Sequence, residues 1–278
     1  MNKINTLATH IISDENNFSF SANDYSKFKY GSSEIGNKFG TNLFFRLIAL
    51  RNKELCSYKK IYVFSSPYNY IPTATNTILK SFSEHLIKHL EGISLVEIRK
   101  IHRNTTYTDD YGSLSKEERF SLISNDTFNI KNDFNGDELL IFLDDIKITG
   151  SHEFVVKKTL INNKIENDVY FLYHAILDNK NINPTFENFL NYSYVKGVNE
   201  IIEIYNNADF VINTRFTKFI LSLSRENFFL FINQLTPLGL DEIITNSKGN
   251  GYDKVLRYSE NLKKIIKLQK NKKLYKNK

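Results

Sequence analysis

Tryptophan is absent from the 278 residues, and cysteine and methionine occur once each. The single Cys56 excludes an internal disulfide and cannot by itself build a cysteine-type zinc site, so it is expected to be a minor packing residue. Core volume that Trp and Met do not supply must come from the 22 Phe and 16 Tyr. No Gly/Ser/Pro-rich linker and no internal repeat is evident. No apolar run reaches the roughly 18 to 20 residues that a membrane span needs. The opening MNKINTLATHIISDENN lacks the apolar stretch of a signal peptide. A soluble, cytoplasmic, globular protein is expected, long enough for one large domain or two small ones.

Basic charge is scarce outside the end of the chain. The net charge is +6, but KKIIKLQKNKKLYKNK (263–278) holds eight lysines and no acid, so the remainder carries 6 − 8 = −2. A lysine-rich end is expected to be solvated, and nucleic-acid binding is not inferred from it.

The pattern along the chain alternates strand and helix. EIGNKFGTNLFFRLIALR (34–51) has helical spacing, and KKIYVFSS (59–66) reads as a strand. Pro72 suits the first turn of a helix running to Gly92. SLVEIRKI (94–101) reads as a second strand. About three dozen residues then separate it from ELLIFLDD, with one short helix opened by a Ser115 and Glu118 capping box. SHEFVVKKTLIN (151–162) is expected to be helical and DVYFLYHAIL (168–177) a buried strand. These elements predict an α/β fold with a mostly parallel sheet flanked by helices. We divide the chain into an N-terminal segment leading into the core (1–57), an α/β core (58–178), and a helical C-terminal segment with a basic tail (179–278).

The most informative stretch is ELLIFLDDIKITGSHE (138–153), an apolar run ending in Asp144 and Asp145 and followed by a small-residue turn. Ligands of open parallel sheets bind at the carboxyl ends of strands. Amides from Ile148 to His152, at the start of a helix, can converge on an anion. Two acids beside such a cradle suit a phosphorylated sugar, with carboxylates on vicinal hydroxyls and amides on the phosphate. Two adjacent acids are costly to bury without a task, and unpaired they would cost the empty protein stability. A Walker B strand is disfavoured because GxxxxGK[ST] is missing, and KGNGYDK (248–254) does not make a dinucleotide motif. A strand followed by an ordinary capped helix is the plain alternative. His85 and His89, without the Glu of HExxH, read as surface or packing residues.

The segment resembles the PRPP-binding motif of type I phosphoribosyltransferases. YSKFKYG (25–31), SSPYNYIPTA (65–74), IHRNTTYTDDYGSLSKEER (101–119) and DDIKITGSHE (144–153) are similar to the phosphoribosyltransferase-like proteins of bacterial tellurium-resistance type stress gene clusters. This resemblance implies a type I phosphoribosyltransferase-like α/β fold. It implies that Asp144 and Asp145 hold the ribose hydroxyls, that Thr149, Gly150 and Ser151 bind the 5′-phosphate, and that Lys147, Ile148 and His152 belong to the same PRPP-binding segment. It places Ser65, Ser66, Pro67 and Tyr68 at the pyrophosphate. Lys100 and Arg103, with His102, would close over the leaving group from a mobile loop (100–111) and supply the catalytic charge. Lys27, Lys29 and Gly31 enter as residues of the site wall. Where purine-salvage members carry an acid before the Thr-Gly, this chain has Ile148, which disfavours purine salvage by that route. Lys147 either supplements the phosphate site or points to solvent, and His152 reads as a helix-start residue.

The expected activity is a Mg²⁺-dependent transfer of 5-phosphoribosyl from PRPP to a base-like nitrogen acceptor. Mg²⁺ would arrive with PRPP, touching Asp144 and Asp145 at most, with no dedicated protein cage. The partners are then PRPP and a small-molecule acceptor, a homodimer being allowed. A non-catalytic PRPP or nucleotide sensor on the same fold is the second reading. A helical interaction protein with the sheet as scaffold is the third.

Overall fold

The computed structural model describes residues 3–103, 115, 117–118, 128–131, 133–207 and 209–276, with 271–276 as helix backbone. A five-stranded, wholly parallel sheet contains β1 (Ile4–Ile12), β2 (Lys60–Phe64), β3 (Leu95–Arg99), β6 (Leu139–Lys147) and β7 (Asp168–Leu177), in the order β1-β7-β6-β2-β3. A two-residue ribbon pairs β4 (His102–Arg103) with β5 (Phe128–Asn129).

The sheet's edge strand β1 comes from ahead of the 58–178 stretch expected to supply the whole sheet. INTLATHII carries Asn, Thr and His among its apolar residues. An edge strand paired only to β7 tolerates them, because one flank of its backbone is not in the ladder. The helix of 34–51 extends over Ser33–Leu55 (α2), behind a short α1 (Ala22–Lys29). α3 spans Thr75–His89, three residues past Pro72, whose carbonyl instead accepts a hydrogen bond from the Thr214 N–H at 2.8 Å. α4 (Ser151–Asn162) and β7 have the bounds read from the sequence. Ser115 and Glu118 make the expected reciprocal cap, at 2.8 and 3.2 Å.

Strand residues alternate between two cores. Ile61, Val63, Leu139, Ile141, Leu143 and Leu172 face α2 and α3. Tyr62, Phe64, Leu140, Phe142, Phe171 and Tyr173 lie on the other face, with Val155, Val156 and Leu160 of α4. On that face Phe64, Phe142 and Phe171 stack with centroids 4.8 and 5.4 Å apart. Burying each ring stabilises by roughly 1.5–3 kcal/mol. α2 and α3 approach closely because a Cβ on Gly40 would stand 2.5 Å from the Ile78 carbonyl oxygen.

The helices after β7 are α5 (Phe186–Asn191), α6 (Val198–Tyr205), α7 (Thr214–Leu221), α8 (Arg225–Ile232), α9 (Pro237–Gly249) and α10 (Leu256–Lys276). From α6 onward they build a third core around Ile201, Phe216, Ile220, Phe231, Leu240 and Ile265, joined by Tyr30 and Ile71. This bundle is bonded to the β2–α3 loop, since Thr214 also donates through Oγ1 to the Ile71 carbonyl and Asn250 accepts from the Tyr70 N–H. Among the described residues no helix is long and apolar enough to cross a membrane.

Candidate active site

The chain passes from β2 to β3 on one side, then returns to place β6 on the other flank of β2. Ligands of such sheets bind at the carboxyl ends of strands where the order reverses. A cavity of about 420 Å³ opens there, bounded by the ends of β2 and β6, the start of α4, and the C-terminal helices. Asp144 and Asp145 end up there because β6 carries its apolar run up to the strand end, where the sheet stops being covered.

The two carboxylates do different work. Asp144 lines the cavity with its side chain 16% exposed. Its Oδ1 accepts from Ser66 Oγ at 2.6 Å, and its Oδ2 faces His152 Nδ1 at 3.3 Å. The backbone N–H of Asp145 also donates to Asp144 Oδ1, at 3.0 Å. Asp145 turns to α1, where Tyr25 OH donates to its Oδ2 at 2.7 Å and the Lys29 ammonium closes an ion pair. Burial alone would raise the pKa of Asp145, but the Lys29 charge and the bonds from Lys29 and Tyr25 hold it well below the carboxylate range. Neither acid is unpaired in the empty protein, since each is hydrogen-bonded and Asp145 is ion-paired with Lys29.

Lys147 lines the cavity and is ion-paired there rather than pointing to solvent. It bonds Glu153 Oε2 at 2.7 Å, and Glu153 also receives Lys157 at 2.5 Å and Tyr173 OH at 2.9 Å. Burial pushes the Glu153 pKa up, yet these donors leave it below its ordinary value. Gly150 caps α4 in the left-handed region (φ 76°) and, having no side chain, bonds none of the first-turn amides. Those amides have no intrahelical acceptor, and Ser151, His152 and Glu153 line the cavity where the helix starts. Thr149 Oγ1 and Ser151 Oγ meet at 2.7 Å beside it. Ile148 lines the same cavity and packs against the first sheet core.

Of the residues expected at the pyrophosphate, Ser66, Pro67 and Tyr68 line the cavity, whereas Ser65 is buried beneath, its Oγ 3.5 Å from the Ser66 carbonyl. Tyr68 N–H donates to the Ile101 carbonyl at 3.4 Å, which draws Arg103 to the cavity. Lys100 is placed elsewhere. Its ammonium donates to the Asn69 carbonyl and sits 4.1 Å from the Tyr68 ring centroid, outside the described cavity lining, because that carbonyl and ring capture it. The exposed His102 is likewise outside the lining. Most of the expected mobile loop, 104–111, lies outside the described residues. Of the wall residues, Lys29 reaches the cavity; Lys27 lies 4.1 Å from the Tyr194 ring, and Gly31 accepts from Val211 N–H.

Sequence reasoning missed Thr75, whose hydroxyl oxygen lies 3.0 Å from Ser66 Oγ, and the wall made by Arg215, Lys218, Phe219 and Arg257. Those four sit in helices read only as packing elements. The spacing of 215, 218 and 219 puts them on one helix face, but the sequence does not say whether that face meets water or a cavity. Among the described residues no group of three or more His, Cys, Asp or Glu side chains could hold a metal ion.

An acidic strand end, a glycine-opened helix and a loop after the first core strand converge on one cavity of a parallel sheet. The family model for PRTase ComF-like proteins matches residues 4–265, and the chain belongs to that family. Among solved structures, a hypoxanthine phosphoribosyltransferase from Staphylococcus aureus is similar at 10% identity and TM-score 0.32, over 51% of this chain and 74% of that chain. Among curated proteins no match is found.

Proposed function

We propose that the chain transfers a 5-phosphoribosyl group from PRPP to a nitrogen acceptor and releases pyrophosphate. The observation that carries this reading is the meeting of Asp144 and the uncapped first turn of α4 in one cavity. The helix start would hold the 5′-phosphate, Asp144 the ribose hydroxyls, and Ser66 to Tyr68 with Arg103 the pyrophosphate. Asp145 would act through Tyr25 and Lys29, fixing the strand end without touching ligand. A cavity of this size is at the small end for organic ligands, which supports a small acceptor.

The residues fit Mg²⁺ carried by PRPP. Asp144, a carboxylate lining the cavity, is the kind of sparse protein ligation Mg²⁺ accepts when phosphate oxygens and water complete its shell. Bound there, the ion would neutralise charge on the leaving pyrophosphate. The chain's own contribution is to hold the ribose and phosphate fixed and to enclose C1′ under the helical wall.

Ile148 favours a second reading. An apolar side chain where purine-salvage relatives place an acid offers no base for the acceptor's proton, as a PRPP sensor would tolerate. The similarity of the quoted phrases to stress-cluster proteins adds a cytoplasmic stress role to either reading.

Calorimetry with PRPP and Mg²⁺, followed by a pyrophosphate-release assay with a panel of acceptors, tests the proposal. Asp144→Asn should weaken PRPP binding by about 10-fold to 100-fold, the loss of one charged hydrogen-bonding group. Unchanged PRPP affinity in that variant would sink the site, while binding without release would favour the sensor.

A further inference from the structure

The two edges of the sheet are built differently. β3 closes one side with five residues, among them Glu97 and Arg99, which are ion-paired to each other, with Lys60 also on Glu97. Short length and charge are what keep a strand edge from pairing with another chain. β1 closes the other side with nine residues, INTLATHII, and has neither device. It holds no Asp, Glu, Lys, Arg or Pro, and burial lowers the pKa of its one titratable side chain, His10, so the strand is neutral at pH 7.

The inner flank of β1 is spent on β7. The Lys3 carbonyl accepts from Val169 N–H at 2.8 Å and the Ile12 carbonyl from Asp178 N–H at 3.0 Å, at the two ends of the pairing. In a parallel ladder alternate residues turn their backbone groups to alternate sides, so with Lys3 facing β7 those of Ile4 and Thr6 face outward. Among the described residues no strand pairs with that outer flank. Ile4 and Ile11 are 40% and 52% exposed along it.

Charge flanks the neutral stretch in opposite senses. Lys3 precedes it, half-exposed, and shares Glu54 with Arg51, whereas the exposed Asp14 and Glu15 follow it. An antiparallel pairing of two copies about Ala8 sets Lys3 of one copy opposite Ser13 and next to Asp14 of the other, at both ends of the seam. A parallel pairing would bring like ends together.

We propose that β1 is a self-association edge, at which two copies of this chain pair antiparallel about a two-fold axis at Ala8 and join their sheets into one. Such a contact is isologous and closes at the dimer. The seam is about 30 Å long, from nine residues at about 3.3 Å each. It satisfies the outward backbone groups of β1 and gathers Ile4 of one copy and Ile11 of the other at each end, out of water. Because the copies run antiparallel, their cavities fall on opposite rims of the joined sheet, and each site stays complete within one chain. The proposal therefore stands apart from the phosphoribosyl-transfer reading.

Sedimentation velocity and light scattering on the full chain test it. The wild type should run at 65 kDa, twice the 32.5 kDa of the chain, and dissociate on dilution. Thr6→Lys, which sets a charge on the outward edge, should run at 32.5 kDa with an unchanged circular dichroism spectrum. Thr6→Pro removes one outward N–H, leaves the β7 ladder bonded and should do the same. Ile98→Lys, on the β3 edge, should remain dimeric. In a Cys56→Ser background, Ala8→Cys should cross-link two chains on mild oxidation, since residues facing each other at the axis lie within disulfide reach, and Ile98→Cys should not. A wild type of 32.5 kDa at every concentration overturns the proposal and leaves the neutral edge to a strand of another protein. A dimer that both Thr6 variants leave intact, or that Ile98→Lys breaks, overturns it too. Absence of the Ala8→Cys cross-link does the same, and that result does not depend on how either Thr6 variant folds.

Discussion

Replacing Asp145 by Asn removes one charge from a buried pair in which the two side chains are 9% and 14% exposed. Breaking such a pair by deleting one partner costs about 3–5 kcal/mol, because the other charge remains desolvated. Asparagine keeps an oxygen for Tyr25 OH, so the loss belongs at the lower end, about 3 kcal/mol. For a chain of this size that is a fall in Tm of roughly 6–12 °C. The pH dependence fixes the cause. The folded pKa of Asp145 is depressed, so its stabilisation is complete above the unfolded value of about 3.9 and is lost as pH falls through the lower folded value. Urea denaturation of the wild type and the variant should therefore differ by about 3 kcal/mol at pH 7 and progressively less below about pH 4. Adding Lys29→Met to Asp145→Asn should restore part of the loss, since no unpaired charge then remains. Equal urea midpoints at pH 7, or a difference that persists undiminished in acid, would refute the reasoning.

Gly150→Ala forces a side chain into the left-handed region and brings a Cβ to 3.3 Å from Lys147 Cε. It should cost about 1–2 kcal/mol in denaturation and weaken PRPP binding in calorimetry. His174, stacked 3.7 Å from Phe39, has no hydrogen-bond partner for either ring nitrogen among the described residues, and burial, with His10 nearby, lowers its pKa to about 3. The unfolded chain takes up that proton below about pH 6.5, so the wild type should lose roughly 2 kcal/mol more than His174→Phe between pH 7 and pH 5. Removing residues 270–278 deletes five lysines and takes the net charge from +6 to +1, while Tyr258, Leu262 and Ile265 of α10 stay in place. PRPP affinity and Tm should not move, because exposed charges beyond a Debye length of about 8 Å are screened.

The interior of the sheet was legible because β6 and β7 are buried on both faces and read as near-continuous apolar runs. α4 was legible from its small-residue start. β1 was not, since an edge strand needs apolar residues on fewer positions, and Asn5, Thr9 and His10 hide its alternation. The start of α3 was misread because Pro72 looks like a first-turn proline, whereas its carbonyl serves the distant Thr214.

Within the site, the motif located Asp144 and the Gly150 turn but could not apportion the acids. Adjacent strand residues point to opposite faces, so two carboxylates side by side in sequence meet different neighbours even though both line the cavity. Which one is spent on the protein depends on Lys29 and Tyr25, placed by α1, a helix whose docking no local pattern announces. The same limit hid Lys218. In sequence, a polar stripe facing a cavity is identical to one facing water, and the two are told apart only by what packs around the helix. Here the bonds from Thr214 to Ile71 and from Asn250 to Tyr70 hold the bundle against the β2–α3 loop. The helical wall and the β2–α3 loop are thus one bonded unit, and a substitution that loosens either should disturb both.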